Sequence, residues 1–301
     1  MKRALILLTV SALAVLAPVA ASAAGNPVAH RPTVSGPKIA PISRVMWIIL
    51  ENRSFSEVVG APYLSSLAAR GGLATNMHNL SHPSQPNYIA MTSGKPISQV
   101  PATDCPTFCP VHGASIFGQT PSWRVYAESM PSNCLSHDAG LYRAHHTAAP
   151  YFVDLTNCQT SDVPLTQFNP ASLPLFSMVV PNVAHDMHQG SSSVAAGDSW
   201  LQGWLPQVLS SADYTSGSLA VFITWDEGGT ASRTTKNCMD NTTDPGCHIA
   251  TYVLSRHTPP GVQSSALLNL YSILHTTEEL LNLPVLGMAA AAPDMLTPFG
   301  L

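Results

Sequence analysis

A chain of 301 residues, 45% of them hydrophobic, can bury one large core, and α/β enzymes of this size often form a single domain. Charged residues make up only 10% of the sequence and the formal net charge is -4, so the composition offers no basic patch for nucleic acid and no polybasic run for an anionic membrane. The 12 histidines nearly equal the 13 lysines and arginines, so much of the positive charge is gained below neutral pH, which suits an acidic setting.

The N-terminus has the pattern of an export signal. Lys2 and Arg3 supply a positive start, an apolar stretch follows, and small residues offer cleavage near Ala23 or Ala24. The alternative is a membrane anchor, but the apolar stretch is short and no basic flank follows it. We therefore predict a secreted protein without stable membrane insertion. Its predicted parts are a signal peptide over residues 1–24, a flexible segment over residues 25–42 and one folded domain over residues 43–301.

In the predicted domain, continuous apolar runs are typical of strands covered on both faces, and they alternate with helical patterns. In chain order we predict a strand over 45–50, a helix over 62–70, a helix from Ser84 to near Gly94, strands over 123–128 and 176–180, a helix over 199–210 capped by Asp198, strands over 219–225 and 249–255, and a helix over 266–283. This alternation predicts an α/β sandwich with a central, mostly parallel sheet flanked by helices.

Six cysteines suit an exported protein, because disulfides persist in oxidising compartments. The alternative, a zinc site, lacks the paired CxxC spacing. We favour three disulfides that pin loops, although other connectivities stay open. The pairing that joins sequence neighbours first is Cys105–Cys109, Cys238–Cys247 and then Cys134–Cys158.

Two acidic motifs follow predicted strands directly. Glu51-Asn52 ends the first strand, and Asp226-Glu227 ends the strand over 219–225. Ligands bind at the carboxyl ends of strands in such sheets, so we expect the two motifs to meet at one site. Their oxygen donors suit a hard cation such as Mg²⁺, Ca²⁺ or Mn²⁺, whereas zinc or iron fits better if histidine joins them. Taken singly, each side chain is more often a cap, a surface group or part of a turn.

Ser84 opens the second predicted helix. Backbone N–H groups and the helix dipole favour a phosphate there, and a metal ion would lower the pKa of the hydroxyl. Asn87 lies one turn further on, where its amide would hold a phosphoryl oxygen. The alternative is that Ser84 is a helix cap only. Together with the acidic motifs, this pattern indicates a metal-assisted nucleophile that acts on an anion.

Five separated motifs occur in a characteristic order along the chain. They are Glu51-Asn52-Arg53-Ser54-Phe55, His82-Pro83-Ser84-Gln85-Pro86-Asn87-Tyr88, Tyr126-Ala127-Glu128-Ser129-Met130-Pro131, Asp186-Met187-His188 and Trp225-Asp226-Glu227-Gly228-Gly229. Together they resemble the phosphoesterase family of secreted acid phosphatases and bacterial phospholipases C, over roughly residues 43–300. Within that family the chain resembles most the short exported acid phosphatases of actinobacteria and fungi.

The resemblance implies an alkaline-phosphatase-like fold, a covalent phosphoseryl intermediate and one divalent metal ion, with Ca, Mg, Mn, Zn and Fe all open. By motif position Ser84 matches the nucleophile and Asn87 the phosphoryl-binding amide. The residues that match the metal ligands are Glu51, Asn52, Ser84, Asp226 and Glu227. The further residues that match the family's site are His82 before the nucleophile, His146 near the phosphate, and the polar pair Asp186 and His188. A solvated loop position is the default interpretation of each histidine.

The sequence departs from the family at one place. The family commonly has His-Tyr-Ser near the start of the last helix, where this chain has Leu270-Tyr271-Ser272. Leucine cannot ligate a metal or donate a hydrogen bond to phosphate. Either His248, His257 or His275 substitutes for it, or the site lacks that group, which favours a single metal ion.

The resemblance thus implies a metal-dependent acid phosphatase that hydrolyses phosphate monoesters, on a small phosphorylated substrate or a phosphoinositide headgroup, and we expect a monomer. One alternative is a phosphodiesterase of the phospholipase C type, although the chain lacks the long C-terminal extension that many of these enzymes carry. The other is a catalytically impaired phosphate- or lipid-binding member, for which Leu270 is the only support.

Overall fold

A computed structural model describes residues 39–105, 109–188, 192–229, 237–239 and 241–301. The predicted signal peptide and most of the predicted flexible segment lie outside these ranges. The last residues of that segment are held in place: the Ala40 N–H donates to the Ser216 carbonyl at 2.8 Å, and the Ala40 carbonyl accepts from His257 Nε2 at 2.9 Å. Of the helices in the described ranges, none has the length and apolar character needed to cross a membrane.

Strands and helices alternate along the described chain. The strands are β1 (Arg44–Leu50), β2 (Gly72–His78), β3 (Trp123–Ala127), β4 (Asp162–Pro164), β5 (Phe176–Val180), β6 (Leu219–Trp225), β7 (His248–Leu254), β8 (Val262–Ser264) and β9 (Leu268–Asn269). The α-helices are α1 (Phe55–Val58), α2 (Pro62–Arg70), α3 (Ser84–Ser93), α4 (Ile116–Gln119), α5 (Cys158–Ser161), α6 (Ser192–Trp204), α7 (Pro206–Leu209), α8 (Ala212–Ser216), α9 (Leu270–Leu280) and α10 (Leu296–Phe299).

The described strands form one sheet, in the order β4-β3-β5-β1-β6-β7-β2-β8, with β9 also paired to β2. From β4 to β6 the neighbours run parallel, whereas β7 runs antiparallel to both β6 and β2. Every residue of β6 is buried, as is every residue of β1 after Arg44. Strands buried along their whole length are covered on both faces. The predicted α/β sandwich with a mostly parallel sheet is confirmed.

The helix predicted over residues 199–210 is wrong in its bounds. α6 spans Ser192–Trp204, so Asp198 lies inside it and caps no helix of its own. The Asp198 carboxylate instead accepts the N–H groups of Tyr63 and Leu64, both at 2.9 Å, at the start of α2. The residue therefore caps a neighbouring helix, which is a tertiary contact that the local sequence does not encode.

The last long helix is shorter than the predicted 266–283. Residues Leu268–Asn269 pair with β2 as β9, and the Asn269 side chain then accepts the Tyr271 N–H at 2.9 Å. This cap begins α9 at Leu270. Strand β2 was not predicted, because its sequence has neither a continuous apolar run nor a clean alternation.

All six cysteines are paired as predicted. The structure forms Cys105–Cys109, Cys134–Cys158 and Cys238–Cys247. Because these bonds leave no thiolate to ligate a metal, the alternative of a cysteine zinc site is excluded.

Candidate active site

The two acidic motifs lie side by side at the carboxyl edge of the sheet. β1 and β6 are parallel neighbours with Leu50 in register with Trp225, so Glu51 and Asp226 leave adjacent strands together. The Asn52 N–H donates to Asp226 Oδ1 at 3.1 Å. Asn52 has φ +51°, a left-handed conformation that asparagine tolerates better than most residues and that turns the chain sharply after the strand. The sheet topology thus brings together two motifs that are 175 residues apart in sequence.

Helix α3 brings Ser84 to the same edge. The helix begins at Ser84, whose Oγ donates to Glu51 Oε2 at 3.1 Å. Asn52 Nδ2 donates to the same carboxylate oxygen at 2.9 Å and lies 3.5 Å from the Ser84 hydroxyl. One helical turn after Ser84, the Tyr88 hydroxyl donates to the other oxygen, Glu51 Oε1, at 2.5 Å. Two residues of α3 therefore hold both oxygens of one buried carboxylate.

The start of α3 is less open to a phosphate than the sequence predicts. The Gln85 N–H, one of the first amides of the helix, donates to Asp104 Oδ1 at 2.8 Å. Gln85 Oε1 in turn accepts the Cys105 N–H at 2.6 Å. An amide that already has an anionic partner adds little to phosphate binding, so the helix terminus alone does not make an anion site here.

The Asn87 side chain bonds to the turn before Ser84, whereas the sequence predicts that its amide holds a phosphoryl oxygen. Its Oδ1 accepts the N–H groups of Leu80 and Ser81 at 3.0 and 2.9 Å. Its Nδ2 donates to the carbonyls of Ser81 and Pro83 at 2.9 and 3.1 Å. The side chain is fully buried and holds the turn that precedes Ser84. Asn87 can hold this turn because its side-chain amide points back to the loop that comes just before α3.

The carboxylates of Glu51, Asp186 and Asp226 are fully buried and lie close together. Burial raises the pKa of Glu51 well above its ordinary value, and the nearby charges of Asp226 and Asp186 raise it further. Burial, then the charge of Glu227, raises the pKa of Asp226. Burial raises the pKa of Asp186 to about 7. Buried carboxylates this close together cannot all ionise unless a cation compensates them.

The donor set fits a divalent cation. In the described part of the chain, the buried oxygens Asp226 Oδ2 and Asp186 Oδ2 have no hydrogen-bond partner, and neither Glu51 nor Asp226 forms an ion pair with Lys or Arg. Unpaired buried carboxylate oxygens are costly unless they coordinate a cation. Glu51, Asn52 and Asp226 offer mainly oxygen atoms, as hard cations prefer.

Three histidines surround the carboxylates. His82 Nδ1 lies 2.7 Å from Glu227 Oε2, while His82 Nε2 is buried with no hydrogen-bond partner among the described residues. His146 Nε2 lies 3.4 Å from Glu51 Oε2, and burial lowers the pKa of His146 well below its ordinary value. The His188 N–H donates to a carboxylate oxygen of Asp186 at 2.9 Å.

Histidine nitrogens therefore adjoin the oxygen donors. Glu51, His146 and His188 each offer a ligand atom within 4.8 Å of the others. Because neutral imidazole is a good ligand for zinc and iron, the donor set admits these metals beside the hard cations.

A cleft of about 300 Å³ opens over this cluster. Its lining residues are Asn52, His82, Pro83, Ser84, Ala102, Thr103, Asp104, His188 and Glu227. The structure thus brings nearly all the predicted site residues to one place, some in the lining and others buried behind it. Those behind it are Glu51, His146, Asp186 and Asp226.

None of the three histidines considered as substitutes for the family histidine reaches the cleft. His248 Nε2 bonds to the Thr75 carbonyl at 2.9 Å, His257 Nε2 to the Ala40 carbonyl at 2.9 Å, and His275 Nδ1 to the Ala292 carbonyl at 2.7 Å. Leu270 is fully buried at the start of α9. None of these three histidines is among the described residues that line the cleft, so none of them replaces the family histidine there.

Two residues at the site were not assigned a role from the sequence. Tyr88 lies one helical turn after Ser84, a spacing that places both on one face of α3 and makes the contact with Glu51 foreseeable. Asp104 lies in a loop with no motif of its own. Its place beside Ser84 follows only from the hydrogen bond to Gln85.

Comparison with known proteins places the chain in a family. The sequence profile of the phosphoesterase family matches residues 59–284. A phosphatidylinositol-3-phosphatase of Mycobacterium tuberculosis is 31% identical over 96% of this chain and 94% of its own length. A phosphate-repressible acid phosphatase of Penicillium chrysogenum is 29% identical over 66% of this chain, and an acid phosphatase of Aspergillus fumigatus is 24% identical over 84%. The chain spans only 51% and 58% of these two fungal relatives.

Solved structures show the same fold at low sequence identity. A protein of the alkaline phosphatase superfamily from Vibrio parahaemolyticus superposes with a TM-score of 0.57 at 10% identity, covering 85% of this chain and 71% of that one. From the family match and the mycobacterial relative together, the chain belongs to the phosphoesterase family and is a phosphoric ester hydrolase.

Proposed function

We propose that the protein is a secreted, metal-dependent phosphatase that hydrolyses phosphate monoesters through a phosphoserine intermediate on Ser84. The export-signal pattern and the disulfides support secretion. The names of the relatives support phosphomonoesters as the substrate class, with a phosphoinositide headgroup among them. The predicted catalytic domain over residues 43–301 stays part of this proposal.

The observation that carries the proposal is the position of Ser84. Its hydroxyl lies in the lining of the cleft and donates to Glu51 Oε2 at 3.1 Å, beside carboxylates that two adjacent strands supply. A serine hydroxyl needs such a neighbour, because it is a weak nucleophile at its ordinary pKa.

Glu51, Asn52, Ser84, Asp226 and Glu227 would hold one divalent metal ion. The bound ion would lower the pKa of the serine hydroxyl and neutralise charge on a phosphoryl oxygen.

In the first step the Ser84 hydroxyl loses its proton to solvent, and Ser84 Oγ bonds to phosphorus as the bond from phosphorus to the ester oxygen breaks. His82 is placed to donate a proton to the departing alcohol, since its Nε2 has no partner among the described residues and Glu227 holds its Nδ1 at 2.7 Å. In the second step water attacks phosphorus, the Oγ–phosphorus bond breaks and His82 takes a proton from the water. Inorganic phosphate leaves and Ser84 regains its proton.

The remaining site residues have supporting roles in the proposal. His146 and Asp186 pack around Glu51: His146 Nε2 lies 3.4 Å from Glu51 Oε2, His146 Nδ1 lies 3.9 Å from Asp186 Oδ2, and the Glu51 backbone N–H donates to the Asp186 carbonyl at 2.7 Å. His188 lines the cleft, where it would contact a phosphoryl oxygen. Asn87 holds the turn before Ser84.

The test is Ser84→Ala assayed with p-nitrophenyl phosphate after chelation and refilling with single divalent metals. We expect turnover to fall by more than about a thousandfold, with no phosphoenzyme trapped by acid quench. Ser93→Ala is the matched control, because Ser93 is buried in the same helix but is not among the lining residues of the cleft; its hydroxyl donates to the Ile89 carbonyl and accepts the Lys95 N–H. Appreciable turnover in Ser84→Ala would remove the covalent step.

The phosphodiesterase alternative has its own test. Faster hydrolysis of p-nitrophenylphosphorylcholine than of p-nitrophenyl phosphate would favour the phospholipase C type. Tight phosphate binding without turnover, whichever divalent metal is added, would indicate a catalytically impaired member instead.

A further inference from the structure

The residues that line the cleft differ in how deeply they are buried and in their charge. Asn52, His82, Ser84 and Glu227 are each at most 7% exposed and form its floor. The more exposed part of the lining is a short wall, Ala102-Thr103-Asp104, in which the first two residues are exposed and Asp104 is half-buried. A phosphoryl group bound at Ser84 on the floor has its ester oxygen directed outward, so this wall borders the space of the leaving alcohol.

The wall is fastened to the nucleophile helix. Asp104 Oδ1 accepts the Gln85 N–H at 2.8 Å, and the Gln85 side chain accepts the Cys105 N–H at 2.6 Å. The Cys105–Cys109 disulfide closes the loop just beyond these contacts. The Asp104 carboxylate is therefore held beside the residue that follows Ser84 and cannot swing freely away from the leaving group.

Apart from the histidines, every charged residue in the described lining of the cleft is acidic. Asp104 and Glu227 are the lining carboxylates, and the lining residues include neither Lys nor Arg. Glu227 lies in the floor and is paired with His82, which leaves Asp104 as the carboxylate at the outer wall.

We infer that Asp104 is a specificity-determining residue that selects the leaving group by charge, and this inference rests on the proposed phosphomonoesterase function. A carboxylate or second phosphate within two carbons of the ester oxygen meets the fixed Asp104 charge and is disfavoured. An ammonium or a hydroxyl group at the same position is accepted. Two unit charges about 6 Å apart at a solvated protein surface change binding by roughly threefold to tenfold, which is the expected size of the selection.

The experiment compares three substrates of similar size whose leaving groups differ in charge. These are phosphoethanolamine, 2-hydroxyethyl phosphate and phosphoglycolate, whose leaving groups carry an ammonium, a hydroxyl and a carboxylate. We expect kcat/KM to fall in that order for the wild-type enzyme. Asp104→Asn keeps an oxygen that accepts the Gln85 N–H, and Asp104→Ser supplies a hydroxyl for it, so each removes the charge while preserving the fastening of the wall.

Both variants should lower the ratio of kcat/KM for phosphoethanolamine over phosphoglycolate by about three- to tenfold relative to the wild type. Glu279→Gln is the control of equal charge change, since Glu279 lies on α9 outside the cleft lining and pairs with His275. It should leave the ratio unchanged. If the wild type hydrolyses 2-hydroxyethyl phosphate but the ratio is the same in the wild type, Asp104→Asn and Asp104→Ser, the inference is overturned and the proposed function stands. If no metal restores hydrolysis of these three substrates or of p-nitrophenyl phosphate, the proposed function itself fails and the inference falls with it.

Discussion

Replacing Tyr88 with Phe removes one hydroxyl from behind the candidate active site and leaves the ring in place. That hydroxyl donates to Glu51 Oε1 at 2.5 Å, and the ring stacks on His146 with 5.6 Å between centroids. Phe keeps the stacking, so the variant tests the hydrogen bond alone. Without it, one oxygen of a fully buried carboxylate loses its partner and the carboxylate loses its orientation toward Ser84.

The expected loss follows from the kind of hydrogen bond involved. A hydrogen bond to a charged group contributes about 1.5–3 kcal/mol. Residues that orient a metal ligand typically change metal affinity by about ten- to a hundredfold, which corresponds to the same free energy. We therefore expect Tyr88→Phe to weaken divalent-metal binding by roughly tenfold or more and to lower kcat/KM for p-nitrophenyl phosphate when metal is limiting.

The assay is isothermal titration of chelated protein with Mn²⁺, followed by activity at limiting and at saturating metal. Tyr252→Phe is the matched control, because the Tyr252 hydroxyl is buried without a hydrogen-bond partner in the described structure. Its removal should leave metal affinity unchanged. An equal dissociation constant for the wild type and Tyr88→Phe would refute the view that Tyr88 positions Glu51.

Two further predictions concern stability. Asn87→Ala should lower the free energy of unfolding by about 2–4 kcal/mol in chemical denaturation, because the N–H groups of Leu80 and Ser81 lose their acceptor; unchanged stability with lost activity would contradict the turn-holding role. Asp162 is fully buried with both carboxylate oxygens unpartnered in the described structure, and burial raises its pKa well above the ordinary value. The folded state binds the Asp162 proton more tightly than the unfolded state does. The stabilisation that comes from this proton is therefore fully present below the ordinary pKa of aspartate, and it is lost as the pH rises toward the raised pKa of Asp162 in the folded protein. Asp162→Asn should therefore raise Tm at neutral pH and leave it near the wild-type value in acid; equal midpoints at neutral pH would refute this.

Much of the fold could be predicted because its signals are local. The apolar runs of β5 and β6 mark strands covered on both faces, and their predicted bounds agree with the structure. The start of α3 at Ser84 was predicted too. Where tertiary contacts compete with local pattern the predictions were wrong: α6 begins before residue 199, and Asp198 caps α2 across space.

Some features of the candidate site could likewise be predicted from the sequence, and others could not. Carboxyl ends of parallel strands face one edge of a sheet, so the meeting of Glu51 with Asp226 could be expected once both strands were recognised. The orientation of single side chains could not, as the inward-facing amide of Asn87 illustrates.

The sequence by itself determined which side chains end the central strands and which hydroxyl opens the helix, since strand and helix periodicity depends on neighbouring residues. Only the tertiary structure decided that Asp104 stands beside Ser84 and that His82 pairs with Glu227, which lies 145 residues away. Those contacts depend on how distant segments pack, and their hydrogen bonds form only after the sheet and α3 have brought the segments together.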